Sequence, residues 1–121
     1  IYLSASGAAG RGTVAACPCA DLSTATELAA QRFIQDYQAD FGLPPGPYAA
    51  EAWDVARMFV QAFRGGADTR AEVLRSIWSV DRFDGLANSY VFEPTGELTP
   101  GAARIHLYRD QAGRWVRLRE G

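Results

Sequence analysis

The chain has 121 residues, 48% hydrophobic and 21% charged, which excludes intrinsic disorder and fits one globular domain or part of a larger one. Twelve basic residues against 14 acidic ones leave a net charge of -2, which argues against a nucleic-acid grip built on phosphate neutralisation. No apolar run approaches the roughly 20 residues of a membrane span, and two cysteines are too few for a disulfide scaffold.

Every basic residue is Arg, and Ala is abundant. Arg therefore also occupies positions where Lys would serve, and an arginine cluster here says less about anion recognition than usual. The sequence begins at Ile1 without an initiator Met or a secretory leader, so a mature or trimmed product is as consistent with it as a complete gene product.

In chain order, residues 1–10 are small and polar and read as a loop or trailing end. Thr13-Val-Ala-Ala16, within Arg11 to Cys17, predicts a short buried strand that Pro18 stops. Thr24-Ala-Thr-Glu27 has the form of a capping box and predicts a helix over about 23–41, with Leu28, Phe33, Ile34, Tyr37 and Phe41 on a buried stripe and Gly42 as a left-handed stop. Leu43-Pro-Pro-Gly-Pro47 is a rigid extended connector, because three prolines remove three donors.

A second helix is expected over about 48–64. Ala49, Ala52, Trp53, Ala56, Val60 and Phe63 lie on one broad face, with Glu51, Asp54, Arg57, Gln61 and Arg64 mostly opposite; the alanines suggest close approach to another element. Thr69-Arg-Ala-Glu72 is another capping box and opens a third helix over 69–79. Beyond it the period shifts towards two. Phe83-Asp-Gly85 reads as a turn, Tyr90-Val-Phe92 as a short strand, and Glu93-Pro-Thr-Gly96 as a type I turn. Ala103 to Tyr108 and Trp115 to Leu118 are the expected strands of a hairpin whose loop is 109–114.

The chemistry-bearing residues are sparse. His106 is the sole histidine and reads as a surface or partly packed side chain, with Tyr108 on the same hairpin face. Cys17-Pro-Cys19 allows three readings: structural thiols, a disulfide between residues only two apart, or a metal or catalytic pair that lacks further ligands. Glu51 and Asp54 are three apart at a helix start, which favours carboxylates through the helix dipole, so they do not make a hydrolase pair by themselves. Gly7-Ala-Ala-Gly10-Arg-Gly12 precedes a strand and lacks the Lys-Ser/Thr of a phosphate loop. Trp53, Trp78 and Trp115 read as core or rim packing. Tyr48 follows a rigid connector at a helix start, where a phenol and backbone N–H groups can face a cleft or pack as a staple.

Three stretches carry a resemblance to a known family. Phe33-Ile-Gln-Asp-Tyr37 with Phe41-Gly42 is one. Gly46-Pro47-Tyr48 leading into Ala50-Glu51-Ala52-Trp53-Asp54-Val55-Ala56 is the second. Phe83-Asp84-Gly85 through Tyr90-Val91-Phe92 to Gly96-Glu97 is the third, and the closing strands Ile105–Tyr108 and Arg114–Val116 extend it. In this order they resemble the C-terminal part of the type I periplasmic solute-binding proteins of ABC transporters, the branched-chain amino-acid-binding (leucine/isoleucine/valine-binding-like) family. Trp53 stands where that family usually has Tyr, and Asn88 where it often has a second Gly; Asn tolerates the left-handed conformation, so the turn is expected to survive.

The resemblance implies an α/β fold, the C-terminal portion of a two-lobe binding protein, with three helices, short strands and a terminal hairpin. About 18–100 would belong mostly to one lobe, with 1–17 and 101–121 as crossing or flanking strands. It further implies a non-enzymatic, extracytoplasmic protein of the periplasm or a cell-surface lipoprotein. Such a protein needs no cofactor or metal, and binds an amino acid or analogue between its lobes. Its partners would be the permease of an ABC importer and the missing N-terminal part of the same protein, with no nucleic acid. A sensor domain of a membrane receptor or kinase would use the same fold, and an enzyme with Cys17 or Cys19 as nucleophile is a third class, marked by a depressed thiol pKa. Tyr48 is the one ligand-binding residue that the resemblance carries over.

Overall fold

The computed structural model of the protein describes residues 2–102 and 105–118. The chain divides into two compact units. One is made by residues up to 19 together with those from 105 onward; the other is the continuous segment 20–102.

The first unit holds a short helix α1 (Tyr2–Ser6), a 3-10 turn over Gly7–Gly10, and the strand β1 (Val14–Cys17). Residues 2–10 are therefore helical turns and not the expected loop: Leu3, Ser4 and Ala5 tolerate helix, and Gly7, at φ 52°, turns the chain out of it. β1 pairs antiparallel with β4 (His106–Gln111), Val14 opposite Arg109 and Cys17 opposite His106, and β4 pairs with β5 (Arg114–Arg117). β4 is thus central in a three-stranded sheet. β1 is an edge strand with Val14 and Ala16 exposed, which corrects the expectation of a buried strand. An apolar run shows that a strand can be buried, but burial needs both faces covered, and the face carrying Val14 and Ala16 is open.

The hairpin forms, with a shorter loop than expected. Gln111 pairs with Arg114, so the connection is Ala112-Gly113 alone, with φ 53° and 82°. Two successive left-handed residues make the turn whose twist matches that of the flanking strands. The buried Asp110 carboxylate accepts the Gly113 N–H at 2.8 Å and holds that turn. Arg109, Asp110 and Gln111 look like loop residues by polarity but are strand. The expected start of the hairpin at Ala103 lies outside the described residues.

The second unit holds α2 (Leu28–Phe41), α3 (Ala49–Arg64), α4 (Arg70–Trp78) and two-residue strands β2 (Phe83–Asp84) and β3 (Ser89–Tyr90). α2 begins later than expected. Asp21 accepts from the Ser23 N–H at 3.0 Å and starts a 3-10 turn over Leu22–Thr24; Ala25 is then extended, and Glu27 becomes the N-cap without a side-chain cap. The earlier Asp thus replaces the expected Thr24–Glu27 box; the Thr24 side chain lies outside the described residues. Gly42 stops α2 at φ 70°, its N–H donating to the Gln38 carbonyl. Only part of the expected α2 stripe is covered: Phe33 is buried, Ile34 and Tyr37 are half-buried, and Leu28 and Phe41 are exposed; Ala30, outside that stripe, is buried.

The buried face of α3 is the opposite of the expected one. Ala50, Asp54, Met58 and Ala62, at four-residue spacing, face the interior, whereas Trp53, Val60 and Phe63 are exposed. Hydrophobic period identifies a stripe but not what lies against it. Here a carboxylate that accepts three hydrogen bonds occupies the interior. Met58, Phe83 and Tyr90 form the core, with Ile77, Val80, Phe92 and Leu98 packed on it. The Thr69–Glu72 box forms as expected, with Glu72 N–H donating to Thr69 Oγ1 at 3.3 Å and Thr69 N–H to Glu72 Oε2 at 3.1 Å. The turn at Glu93–Gly96 also forms, closed by Gly96 N–H to Glu93 O at 2.8 Å.

Candidate functional site

Tyr48 sits at a left-handed corner. The Ala49 N–H donates to the Gly46 carbonyl at 3.2 Å, closing a turn whose second residue is Pro47 and whose third is Tyr48, at φ 66° and ψ 3°. This is type II geometry, in which proline pre-sets the second position and glycine normally fills the third. A bulky L-residue in the left-handed region costs about 1–2 kcal/mol. The chain bears that cost while leaving the side chain half exposed at 50%. Tyr48 makes no side-chain cap; its carbonyl accepts the Ala52 N–H at 2.9 Å and begins α3. The backbone is thus locked between proline and helix, and the phenol is presented to the outside.

The two carboxylates that follow serve the framework. Glu51 Oε1 accepts the Ala20 N–H at 2.6 Å, and Oε2 is buried without a hydrogen-bond partner among the described residues. Asp54 is fully buried. Its Oδ1 accepts the Leu86 N–H at 2.6 Å, and its Oδ2 accepts the Ala87 N–H at 2.8 Å and the Tyr90 hydroxyl at 3.1 Å. Gly85 lies directly on this carboxylate: a Cβ there would overlap all three carboxyl atoms. Burial, and then the charge of Asp54, push the Tyr90 phenol well above its ordinary range, so it stays a donor to Asp54. Asn88 has a negative φ, so this turn does not use the left-handed conformation expected of it. Sequence reasoning placed Asp54 on the solvent side and missed its role. The available signal was Asp54 together with a turn containing Gly85, where backbone N–H groups await an acceptor.

Cys17 and Cys19 form a disulfide, with Cα atoms 5.2 Å apart. Cys19 is buried, and its carbonyl accepts the Tyr108 hydroxyl at 3.2 Å. His106 is half-buried on β4, on the same strand face as Tyr108, as expected. Among the described residues no group of three or more His, Cys, Asp or Glu side chains is arranged to hold a metal ion. Also among them, no helix is long and apolar enough to cross a membrane. The sequence-predicted residues are therefore distributed between a presented aromatic at Tyr48 and buried structural carboxylates, and are not gathered into a catalytic constellation.

No protein-family model matches the sequence, and no curated protein matches it. Solved structures do. A leucine-binding protein of Thermotoga maritima superposes with a TM-score of 0.77 at 17% identity, over 97% of this chain and 33% of that one. The chain has the fold of part of a type I periplasmic substrate-binding protein. An ABC transporter substrate-binding protein from Desulfitobacterium hafniense, in complex with Leu, matches at 0.73 and 18% identity, over 90% of this chain and 32% of that one. A solute-binding protein of an ABC transporter from R. palustris, in complex with benzoate, matches at 0.68 and 20%, over 97% and 32%. The chain thus spans about a third of the length of the substrate-binding-protein structures that it matches. These neighbours are binding proteins.

Proposed function

We propose that this chain is the C-terminal part of an extracytoplasmic solute-binding protein that delivers an amino acid or similar small ligand to the permease of an ABC importer. The ligand would lie in an interlobe cleft completed by the missing N-terminal part, with Tyr48 as one wall. Residues of about 18–100 would belong mostly to one lobe; the division of the chain at residues 19 and 20 supports this.

Tyr48 carries the reading. Backbone strain at a bulky residue points to function when the side chain is presented and not packed. A phenol on a backbone held by Pro47 and α3 supplies a fixed apolar wall and a hydroxyl. Neighbours in complex with Leu and with benzoate support a small ligand that carries a carboxylate and an apolar body.

The test is calorimetry on two proteins. The 121-residue chain should bind free amino acids with Kd above ~1 mM, a level worth only about 4 kcal/mol, because one wall leaves the ligand wet. In the longer protein Tyr48→Ala should weaken ligand binding by about 1–3 kcal/mol, the scale of burying such a side chain, with melting of the unliganded protein little changed. Loss of about 3–5 kcal/mol of stability with unchanged affinity would make Tyr48 a packing residue.

A further inference from the structure

The Cys17–Cys19 disulfide does little as a staple. Its ring holds one residue between the half-cystines, Pro18, whose φ is already fixed. The stabilisation that a cross-link draws from restricting the unfolded chain grows with the length of the closed loop, and this loop is close to the shortest possible. Its surroundings are those of an exchanging thiol pair. Cys17 is half-buried at the end of the edge strand β1 and Pro18 is exposed, whereas Cys19 is buried, so an outside thiolate has one sulfur to attack. The Cys19 N–H donates to Cys17 Sγ at 3.3 Å. His106 is directly opposite Cys17 in the β1–β4 register. A backbone donor and an imidazole beside a sulfur favour its thiolate.

The peptide that leaves the ring leads to Tyr48. Cys19 ends the first stretch of the first unit, and Ala20 begins the second unit. Within the first unit the Tyr108 hydroxyl donates to the Cys19 carbonyl at 3.2 Å. Within the second the Ala20 N–H donates to Glu51 Oε1 at 2.6 Å. That carbonyl and that N–H belong to one peptide group. Glu51 lies in the first turn of α3, three residues after Tyr48. Its Oε2 is buried without a hydrogen-bond partner among the described residues, so among them the carboxylate depends on the Ala20 donor.

We infer that the Cys17–Cys19 disulfide is a redox switch on the corner that presents Tyr48: the closed ring holds the Ala20 N–H on Glu51, and reduction releases it and weakens ligand binding. A dithiol supplies the reducing step. Its thiolate attacks Cys17 Sγ and breaks the S–S bond, and the Cys19 sulfur leaves as a thiolate that takes a proton. The second thiol of the reagent then displaces Cys17 from the mixed disulfide, and Cys17 takes a proton in turn. Two electrons and two protons pass to the protein, and the dithiol becomes a disulfide. The effect on affinity rests on the reading of Tyr48 as a ligand wall; the redox step and its effect at Ala20 are measured without a ligand.

The test begins on the 121-residue chain. Dithiothreitol without denaturant should reduce the pair, and iodoacetamide should then label Cys17 before Cys19. Amide exchange at Ala20 should speed up about tenfold on reduction, as for a hydrogen bond that opens locally, while Val73 in α4 keeps its protection. In the longer polypeptide read from the gene, calorimetry with leucine and with benzoate should show the reduced form binding about tenfold more weakly than the oxidised one, a difference of about 1.4 kcal/mol. The double variant Cys17→Ser, Cys19→Ser should bind at the reduced level whether or not dithiothreitol is present. Reduction that needs denaturant would overturn the inference, as would unchanged exchange at Ala20 or equal affinity of the two forms. Loss of protection at Val73 together with Ala20 would also overturn it, because the disulfide would then be a staple for the whole fold. Binding of neither probe by either form counts against the proposed function, and the Ala20 exchange then decides the switch by itself.

Discussion

Two turns meet α3, and they treat a place that suits glycine in opposite ways. At the start of the helix, Gly46-Pro47-Tyr48-Ala49 puts a large aromatic into a left-handed corner that glycine would fill without strain, and leaves its side chain half exposed. Beyond the helices, Phe83–Tyr90 uses glycine where a Cβ would collide, and Asp54 on α3 ties it down with three hydrogen bonds. The second turn has the residue that its geometry requires and is built for stability. The first has a residue that its geometry resists and is built to present a side chain. The same helix thus carries a framework contact and a functional candidate, and strain without burial tells them apart.

Three substitutions test that contrast and two at a plain helix cap sharpen it, largest effect first. Asp54→Ala should lower stability by about 3–5 kcal/mol, because it leaves the half-buried Leu86 and Ala87 N–H groups and the buried Tyr90 hydroxyl without their acceptor. Chemical denaturation measures it; a loss under about 1 kcal/mol would mean that the clasp is dispensable. Gly85→Ala should cost about 1–3 kcal/mol as overpacking against the same carboxylate, and the loss should largely disappear in an Asp54→Ala background.

Tyr48→Gly should leave stability within about 1 kcal/mol. Relief of the left-handed strain, about 1–2 kcal/mol, is offset by the greater backbone freedom of glycine in the unfolded chain. In the longer protein the same change should remove a large part of ligand affinity. A clear loss of stability would erase the difference between the two turns.

The smallest effect is at the α4 cap. Hydrogen bonds from the Thr69 hydroxyl and from Asp68 and Thr69 lower the Glu72 carboxyl from 4.5 to about 2. Because the folded value is depressed, the stabilisation is fully present above pH 4.5 and is lost as pH falls towards 2. Amide shifts of residues 69–73 should follow that window, and Glu72→Gln should flatten it. Thr69→Ala should cost about 1 kcal/mol as a lost N-cap.

Much of this was legible in the sequence because the signals are local. The Thr69–Glu72 box, the Gly42 stop and the Glu93–Gly96 turn are set by a few neighbouring residues whose side chains and φ angles leave few alternatives. α3 was legible as a helix, and its apolar side was correctly drawn. Which side faces the interior was not, because burial depends on partners distant in sequence: Asp54 goes inward only because a turn more than thirty residues later offers it N–H donors. The start of α2 was misplaced because two adjacent segments, Asp21–Ser23 and Thr24–Glu27, each offer a capping signal, and the earlier Asp took the chain into a 3-10 turn. Tyr48 was singled out from its connector, but its left-handed φ has no sequence signature, since a tyrosine argues against it. The Cys17–Cys19 disulfide was one of three open readings, because a spacing of two residues does not by itself bring Sγ atoms together.

The sheet of the first unit has a consequence for the order of events during synthesis. β1 pairs with β4 at Val14 opposite Arg109, so its partner leaves the ribosome only after the whole of the second unit has done so. The segment 20–102 is continuous and rich in helical, short-range contacts, which form quickly, whereas closing a loop of that length is slow unless its ends are already drawn together. The inserted unit should therefore collapse first and act as a tether that shortens the effective loop. Until it does, β1 waits as an unpaired strand with both edges open, the species most exposed to aggregation. Destabilising the Asp54 clasp should then slow formation of a sheet in which Asp54 takes no part, and a lag between burst-phase helix signal and β4 amide protection would register that dependence.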